Sequence, residues 1–244
     1  MSEPERRPAY YSAGPGRARE WWTLLHPPYT AWHLSYVAIG AALAPHLDGG
    51  RLVASLVAFF AAVGVAAHAL DELQGHPLRT HIPARTLEVV AAGGLTVAVA
   101  IGVAGIVVVG WVLVPFVVVG PVLAVGYNLE LFGGRVHTDL GFAAAWGAFP
   151  VLAAYVAQTG TLRPAAVVAA AAALSFSLAQ RALSTPARSI RRRVRVVTGR
   201  VEYLDGRTAP LDDGALLAPL ERALQACASA MVLLAVALVA AHAA

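Results

Sequence analysis

One short stretch of an otherwise apolar sequence is crowded with acids and imidazoles: His68, Asp71 and Glu72, followed by His76, Arg79 and His81. The first three are spaced i, i+3, i+4, which on a helix sets them on one face, and His76 continues the row at i+8. Ionisable groups at membrane depth are costly, so such a cluster marks function by default. Two carboxylates and a neutral imidazole on one stripe can hold a divalent cation. Oxygen-rich ligation suits Mg2+ or Mn2+, and added histidine shifts the preference toward Mn2+, Fe2+ or Zn2+. The expected metal ligands are therefore His68, Asp71, Glu72 and His76. Arg79, just beyond, can take a phosphate oxygen through its planar fork. The plainer alternative is a polar helix end in interfacial water, with its carboxylates paired to Arg79 and Arg85.

Two smaller groups fall on the same predicted side. Tyr127, Asn128, Glu130, Arg135, His137 and Asp139 form one, with an interfacial loop anchored by Tyr127 as the simpler reading. Ser175, Ser177, Gln180, Arg181 and Ser184 form the other. Gln180 and Arg181 can point into a bundle toward an anion, or Arg181 can snorkel to the headgroups. His33 and Tyr36 lie one turn apart, a spacing that fits a satisfied hydrogen bond better than a ligand pair.

These groups need a frame, and composition says which. The chain has 244 residues, 58% hydrophobic and only 13% charged. A soluble domain carries about 25% charged residues, so a wetted surface is lacking. Every basic side chain is Arg, and the net charge is +4. The arginines gather between apolar runs, which points to membrane topology and anionic lipid and away from nucleic acid. The single cysteine, Cys227, excludes a disulfide framework within the chain.

A spanning helix needs about 20 mostly apolar residues. The predicted spans are Tyr29 to Leu47, Leu52 to Leu73, two spans sharing Leu87 to Tyr127 with a break near Gly105 to Gly110, Leu140 to Gln158, Pro164 to Leu183, and Leu216 to Ala241. This is an all-α bundle of about seven spans over residues 29–244, behind a leader of residues 1–28 whose polar part, Met1 to Arg19, is expected to be disordered, with Trp21 and Trp22 at the interface. Arg6, Arg7, Arg17 and Arg19 in the leader, Arg79, Arg85 and Arg135 in two loops, and the arginines of loop 184–215 all fall on one side. Only Arg51 and Arg163 fall on the other. The positive-inside rule makes the leader cytoplasmic and leaves the C-terminus outside. Within loop 184–215, Val alternates with Arg and Glu from Arg193 to Tyr203, which predicts a small β-hairpin around Thr198-Gly199.

With the spans placed, the pattern resembles the UbiA family of intramembrane prenyltransferases from about His26 to Leu183. His26-Pro27-Pro28-Tyr29-Thr30 is similar to the family's Arg-Pro-x-Thr segment. Asp71-Glu72 with the later Arg79 sits where the family has its first Asp-rich motif and a following Arg. Tyr127-Asn128 resembles its Tyr-Ser/Thr segment, and Gly141 to Gly160 its fifth helix. The resemblance implies transfer of a prenyl group from a prenyl diphosphate to a lipophilic acceptor. It implies Mg2+ at Asp71 and Glu72, donor orientation by Tyr127 and Asn128, and phosphate binding by Arg79, Gln180, Arg181 and Arg188. The tail would lie in an apolar tunnel. The sequence departs from the family in keeping one of three acids of that motif, with an Arg-rich loop at the second motif and about seven spans against nine. The alternatives are a non-catalytic lipid-binding or accessory protein that kept the fold, a His/carboxylate metal-dependent membrane enzyme, and a transporter.

Overall fold

The protein is described by a computed structural model covering residues 7–14 and 16–242. Arg6, counted above among the leader's arginines, lies outside the described residues. Within them run eight helices: α1 (Arg17–Leu24), α2 (Pro27–Ala42), α3 (Gly49–Leu73), α4 (Ala84–Val109), α5 (Val114–Asn128), α6 (Asp139–Thr159), α7 (Pro164–Arg193) and α8 (Asp213–Ala240). An antiparallel hairpin, β1 (Arg200–Glu202) with β2 (Thr208–Pro210), joins α7 to α8.

Local chemistry sets the helix starts. Asp48, Thr138 and Asp212 cap α3, α6 and α8, accepting from the amides of Arg51, Gly141 and Ala215 at 3.0, 3.0 and 2.8 Å. Proline opens α2 and α7, where its missing N–H is no loss. Gly110, at φ 118°, breaks the long apolar stretch and turns α4 back into α5, as the expected hairpin requires.

The helices α3, α4, α6, α7 and α8, and the segment Trp111–Asn128 that contains α5, are long and apolar enough to cross a membrane. Their outer faces suit lipid and not water: Val107, Trp111 and Leu233 are 83%, 84% and 68% exposed. Six such helices stand against the seven expected. The difference is α2, whose 16 residues rise about 24 Å, short of a hydrocarbon layer of about 30 Å.

Short as it is, α2 holds the centre. Trp32 and Tyr36 are fully buried, and the Trp32 indole donates to the Tyr36 hydroxyl at 2.6 Å. Ser177 of α7 also donates to that hydroxyl, at 3.3 Å. Gly40 lets the α2 backbone lie against Val151 of α6, where any Cβ would collide with the Val151 carbonyl.

Both α3 and α6 widen into π-helical turns, at Phe60–Ala67 and Ala144–Ala148. Such turns free carbonyls from the helical ladder and recur at functional sites. Here the His33 ring donates to the Trp146 carbonyl at 3.0 Å. The two wide turns meet in one core cluster of Val63, Ala67, Ala124, Tyr127, Ala145 and Trp146.

Three expectations change. The leader is folded over residues 7–14 and 16–28: Ala9 and Ser12 are buried, and the Ala13 amide donates to Thr23 Oγ1 of α1 at 3.1 Å. The helix α7 continues past Leu183 to Arg193, so Arg188, Arg191 and Arg192 stand on a helix and not in a loop. Arg191 is anchored there by Glu221 of α8, at 2.5 and 2.8 Å. The hairpin turns at Asp205-Gly206, with Gly206 at φ 81°, instead of at Thr198-Gly199. Asp-Gly is the stronger turn dipeptide, because the glycine accepts a left-handed backbone at no steric cost.

The α2–α6 contact gives a first prediction. Gly40→Val should overpack it by about 1–3 kcal/mol and lower the melting temperature in detergent by about 3–10 °C. Gly93→Val, where an added Cβ meets nothing within 4 Å, should leave it unchanged. Equal melting of the two variants would contradict the packing described.

Candidate functional site

Adjacent in sequence, Asp71 and Glu72 have different surroundings. Glu72 is 0% exposed. Its Oε2 accepts from the Leu78 amide at 2.9 Å, and its Oε1 accepts from both the amide and the hydroxyl of Thr80 at 2.9 Å. His76 Nδ1 stands 3.7 Å away. Glu72 therefore fastens the loop between α3 and α4 to the end of α3. That loop passes through left-handed backbone at His76 and Arg79, φ 51° and 56°. Such positions cost about 1–3 kcal/mol each and persist only where the surroundings impose them, as the three bonds to Glu72 do here.

Asp71 is half-buried, and its side chain makes no hydrogen bond or ion pair to another described residue. Arg188, Arg192, Glu72 and His137 are the charged or ionisable groups within its electrostatic reach. Tyr127, at the end of α5, is reached by Arg181, Arg188, Asp71 and Asp139. His137 stacks on the Tyr127 ring at 4.4 Å and donates to the Tyr127 carbonyl at 2.9 Å, which fixes that ring. Trp146 meets Tyr127 edge-on at 5.9 Å. Arg181 is engaged: it donates to Asp139 at 2.7 Å and lies 5.3 Å over Phe142. The Arg188 side chain makes no hydrogen bond or ion pair with another described residue. These side chains gather at the arginine-rich end of the bundle.

The leader roofs it. Tyr10, Tyr11, Tyr29 and His26 pack ring against ring, with Tyr11 5.5 Å from Tyr29 and 5.3 Å from His26. The Tyr11 hydroxyl is hydrogen-bonded to His26 Nδ1. His26 stacks on His68 at 4.4 Å, and His68 donates to the Gly64 carbonyl, freed by the π turn, at 3.0 Å. His26 is itself left-handed, at φ 46°, and 8% exposed. Burial first, and then His68, Arg192 and Arg188, hold it well below the usual histidine range, so the ring is neutral. Burial pushes the Tyr10 and Tyr11 hydroxyls up. Arg192 reaches the Pro8 carbonyl at 3.4 Å.

An apolar cavity of about 620 Å³ lies between α3, α4, α5 and α6. Val63, Ala124 and Trp146 line its near end and belong to the core cluster around Tyr127. Asp48 and Arg51 stand at its far end. Its volume is that of a typical ligand site, about 300–1,000 Å³.

The structure thus brings Asp71, Tyr127, Arg181 and Arg188 together, with His68 one stacking layer behind the roof. Arg79 does not join them; it is exposed on the loop that Glu72 holds. Asn128 turns to its own helix and donates to the Ala124 carbonyl at 2.7 Å. Gln180 is buried one turn from Ser177, and its Oε1 has no partner. His81 binds Glu20 of α1 at 2.8 Å instead of extending the cluster.

Of the expected metal ligands, Glu72 has both oxygens engaged and His68 has Nδ1 engaged. No group of three or more His, Cys, Asp or Glu among the described residues is arranged to hold a metal ion. Sequence reasoning missed Tyr11 and Arg192 and gave His26 no role. The available signals were an aromatic pair, Tyr10-Tyr11, in a polar leader, and a histidine placed directly before Pro27-Pro28. In comparisons with known proteins, no family model, no curated protein and no solved structure matches the chain.

Glu72→Ala should destabilise the protein by about 2–4 kcal/mol, since three charge-assisted bonds are lost and buried donors are left unpaired. Hydrogen exchange should show the Leu78 and Thr80 amides losing protection first. Asp71→Ala should leave both readings near wild type. Unchanged protection in Glu72→Ala would contradict the fastening role.

Proposed function

We propose that this protein is an integral membrane prenyltransferase of the UbiA type. It moves a prenyl group from a prenyl diphosphate to a lipophilic acceptor. One observation supports this above the others: Asp71, Arg181 and Arg188, from α3 and α7, lie within electrostatic reach of Tyr127 of α5, and Tyr127 shares a core cluster with Val63, Ala124 and Trp146, which line an apolar cavity. Such a pairing suits a ligand with an anionic head and a hydrocarbon tail. In this reading α2 completes seven spans, and the arginine-rich end faces the cytoplasm.

In the reaction the allylic C–O bond breaks and the diphosphate leaves with the electron pair. Arg188 and Arg192 stabilise the charge growing on the leaving group. The Tyr127 ring, held by His137 and Trp146, presents its electron-rich face to the carbocation. The acceptor attacks that carbon and then loses its proton. Asp71 sits where it can orient the arginines or take that proton.

A second reading, a lipid-binding accessory protein, is favoured by Glu72: a carboxylate that the resemblance assigns to metal binding is committed to the loop instead. The two readings separate in one assay. Full-length protein in nanodiscs is given labelled farnesyl or geranylgeranyl diphosphate and a panel of quinone, aromatic and lipid acceptors. The prenyltransferase reading expects a prenylated product. It expects Asp71→Ala and Arg188→Ala to lower turnover by about 10²–10³-fold, with Arg79→Ala near wild type. Donor binding without product would support the accessory role. Neither binding nor product would overturn both.

A further inference from the structure

We infer that His26, Arg188 and Arg192 form a metal-independent oxyanion site for the phosphate or diphosphate head of the ligand, with Tyr11 setting the imidazole tautomer. This rests on the reading that the ligand carries such a head.

The tautomer follows from the Tyr11 hydroxyl. Tyr11 is half-buried, and His26 Nδ1 is the hydroxyl's partner among the described residues. A phenol that accepted a proton from Nδ1 would leave its own O–H unsatisfied. Donation from the hydroxyl to Nδ1 satisfies both, and it leaves the other ring nitrogen, Nε2, as an N–H donor. That donor is buried with no partner. A buried N–H left unpaired costs about 1–3 kcal/mol. The ring is held in this position by a strained backbone at φ 46° and by the His68 stack, so it cannot easily turn toward water.

Around this donor the charges are lopsided. The Arg188 side chain has no hydrogen bond or ion pair to another described residue, and that of Arg192 has one long bond to a carbonyl. Both lie within electrostatic reach of His26, and both of Asp71. Of the two carboxylates of α3, Glu72 is committed to the loop, so among the described residues it is Asp71 that opposes two guanidiniums and an N–H. Two half-buried cations with one free carboxylate between them leave a positive surplus that a bound oxyanion relieves. Guanidinium forks match phosphate oxygens in pairs, and a neutral imidazole N–H adds a directed bond. A metal bridge to the head group is not required by this donor set.

The test uses full-length protein in neutral phosphatidylcholine nanodiscs. Affinities for farnesyl diphosphate and for inorganic pyrophosphate are measured in EDTA and again in Mg2+. The expected result is binding of both in EDTA. Arg188→Ala and His26→Leu should each weaken it by about 10–100-fold. His26→Gln, which keeps a side-chain N–H, should restore most of the loss, and Tyr11→Phe should weaken binding less than His26→Leu. Arg188 makes no bond the fold depends on, so Arg188→Ala reports on binding even where His26→Leu melts early. Farnesyl diphosphate tighter than pyrophosphate assigns the site to a lipid head; equal affinity assigns it to the free anion, and either supports the site. Binding that requires Mg2+ and is indifferent to His26→Leu and Arg188→Ala overturns the inference while sparing the prenyl-diphosphate reading. No binding of farnesyl diphosphate under either condition removes that reading as well.

Discussion

A charge withdrawn from water must be met by hydrogen bonds or by an opposite charge, and at one end of this bundle the cations among the described residues exceed the carboxylates free to meet them. Asp139 answers Arg181, Glu221 answers Arg191, and Glu72 is committed to the Leu78 and Thr80 donors. Arg188 and Arg192 are left facing Asp71. The local architecture fits this imbalance: a neutral His26 beside the arginines, and tyrosines of the leader packed against it. An anion is the natural complement.

The apolar half of the molecule answers a different demand. In hydrocarbon every backbone group must find its partner within the helix or on a neighbour. The π turns of α3 and α6 depart from the regular ladder, and His33 and His68 accept that role by donating to Trp146 and Gly64 carbonyls. In return the widened helices separate enough to leave a cavity whose near wall is the Tyr127 cluster. The Tyr127 ring thus packs on residues that line the cavity while lying within electrostatic reach of Asp71, Arg181 and Arg188. An amphiphile with its head above Tyr127 and its tail below it would satisfy both compartments at once.

Much of this was legible in the residues. Apolar runs of spanning length located the helices from Gly49 to Ala240, and glycine marked the turn between α4 and α5. Asp71 was legible because an acid ending an apolar run has few neutral explanations. The remainder depended on tertiary contact. Which of two adjacent acids turns inward is decided by a loop six to eight residues further on, through Leu78 and Thr80. The arginines after Leu183 read as loop because charge density imitates solvent exposure; packing of α7 against α8, with Arg191 on Glu221, keeps them helical. The leader read as disordered because its composition is polar, yet the few rings of Tyr10 and Tyr11 find an aromatic surface in His26 and Tyr29. No periodicity announces a contact of that kind.

Photoaffinity mapping tests the central claim most directly. A prenyl diphosphate analogue with a photoreactive group in its tail would be irradiated with the full-length protein in nanodiscs, and the labelled residues identified. The account predicts labels on cavity residues such as Val63, Phe116 and Phe149, suppressed by excess inorganic pyrophosphate and by Arg188→Ala. Labels confined to the lipid-facing valines of α4, with no suppression by either, would contradict it.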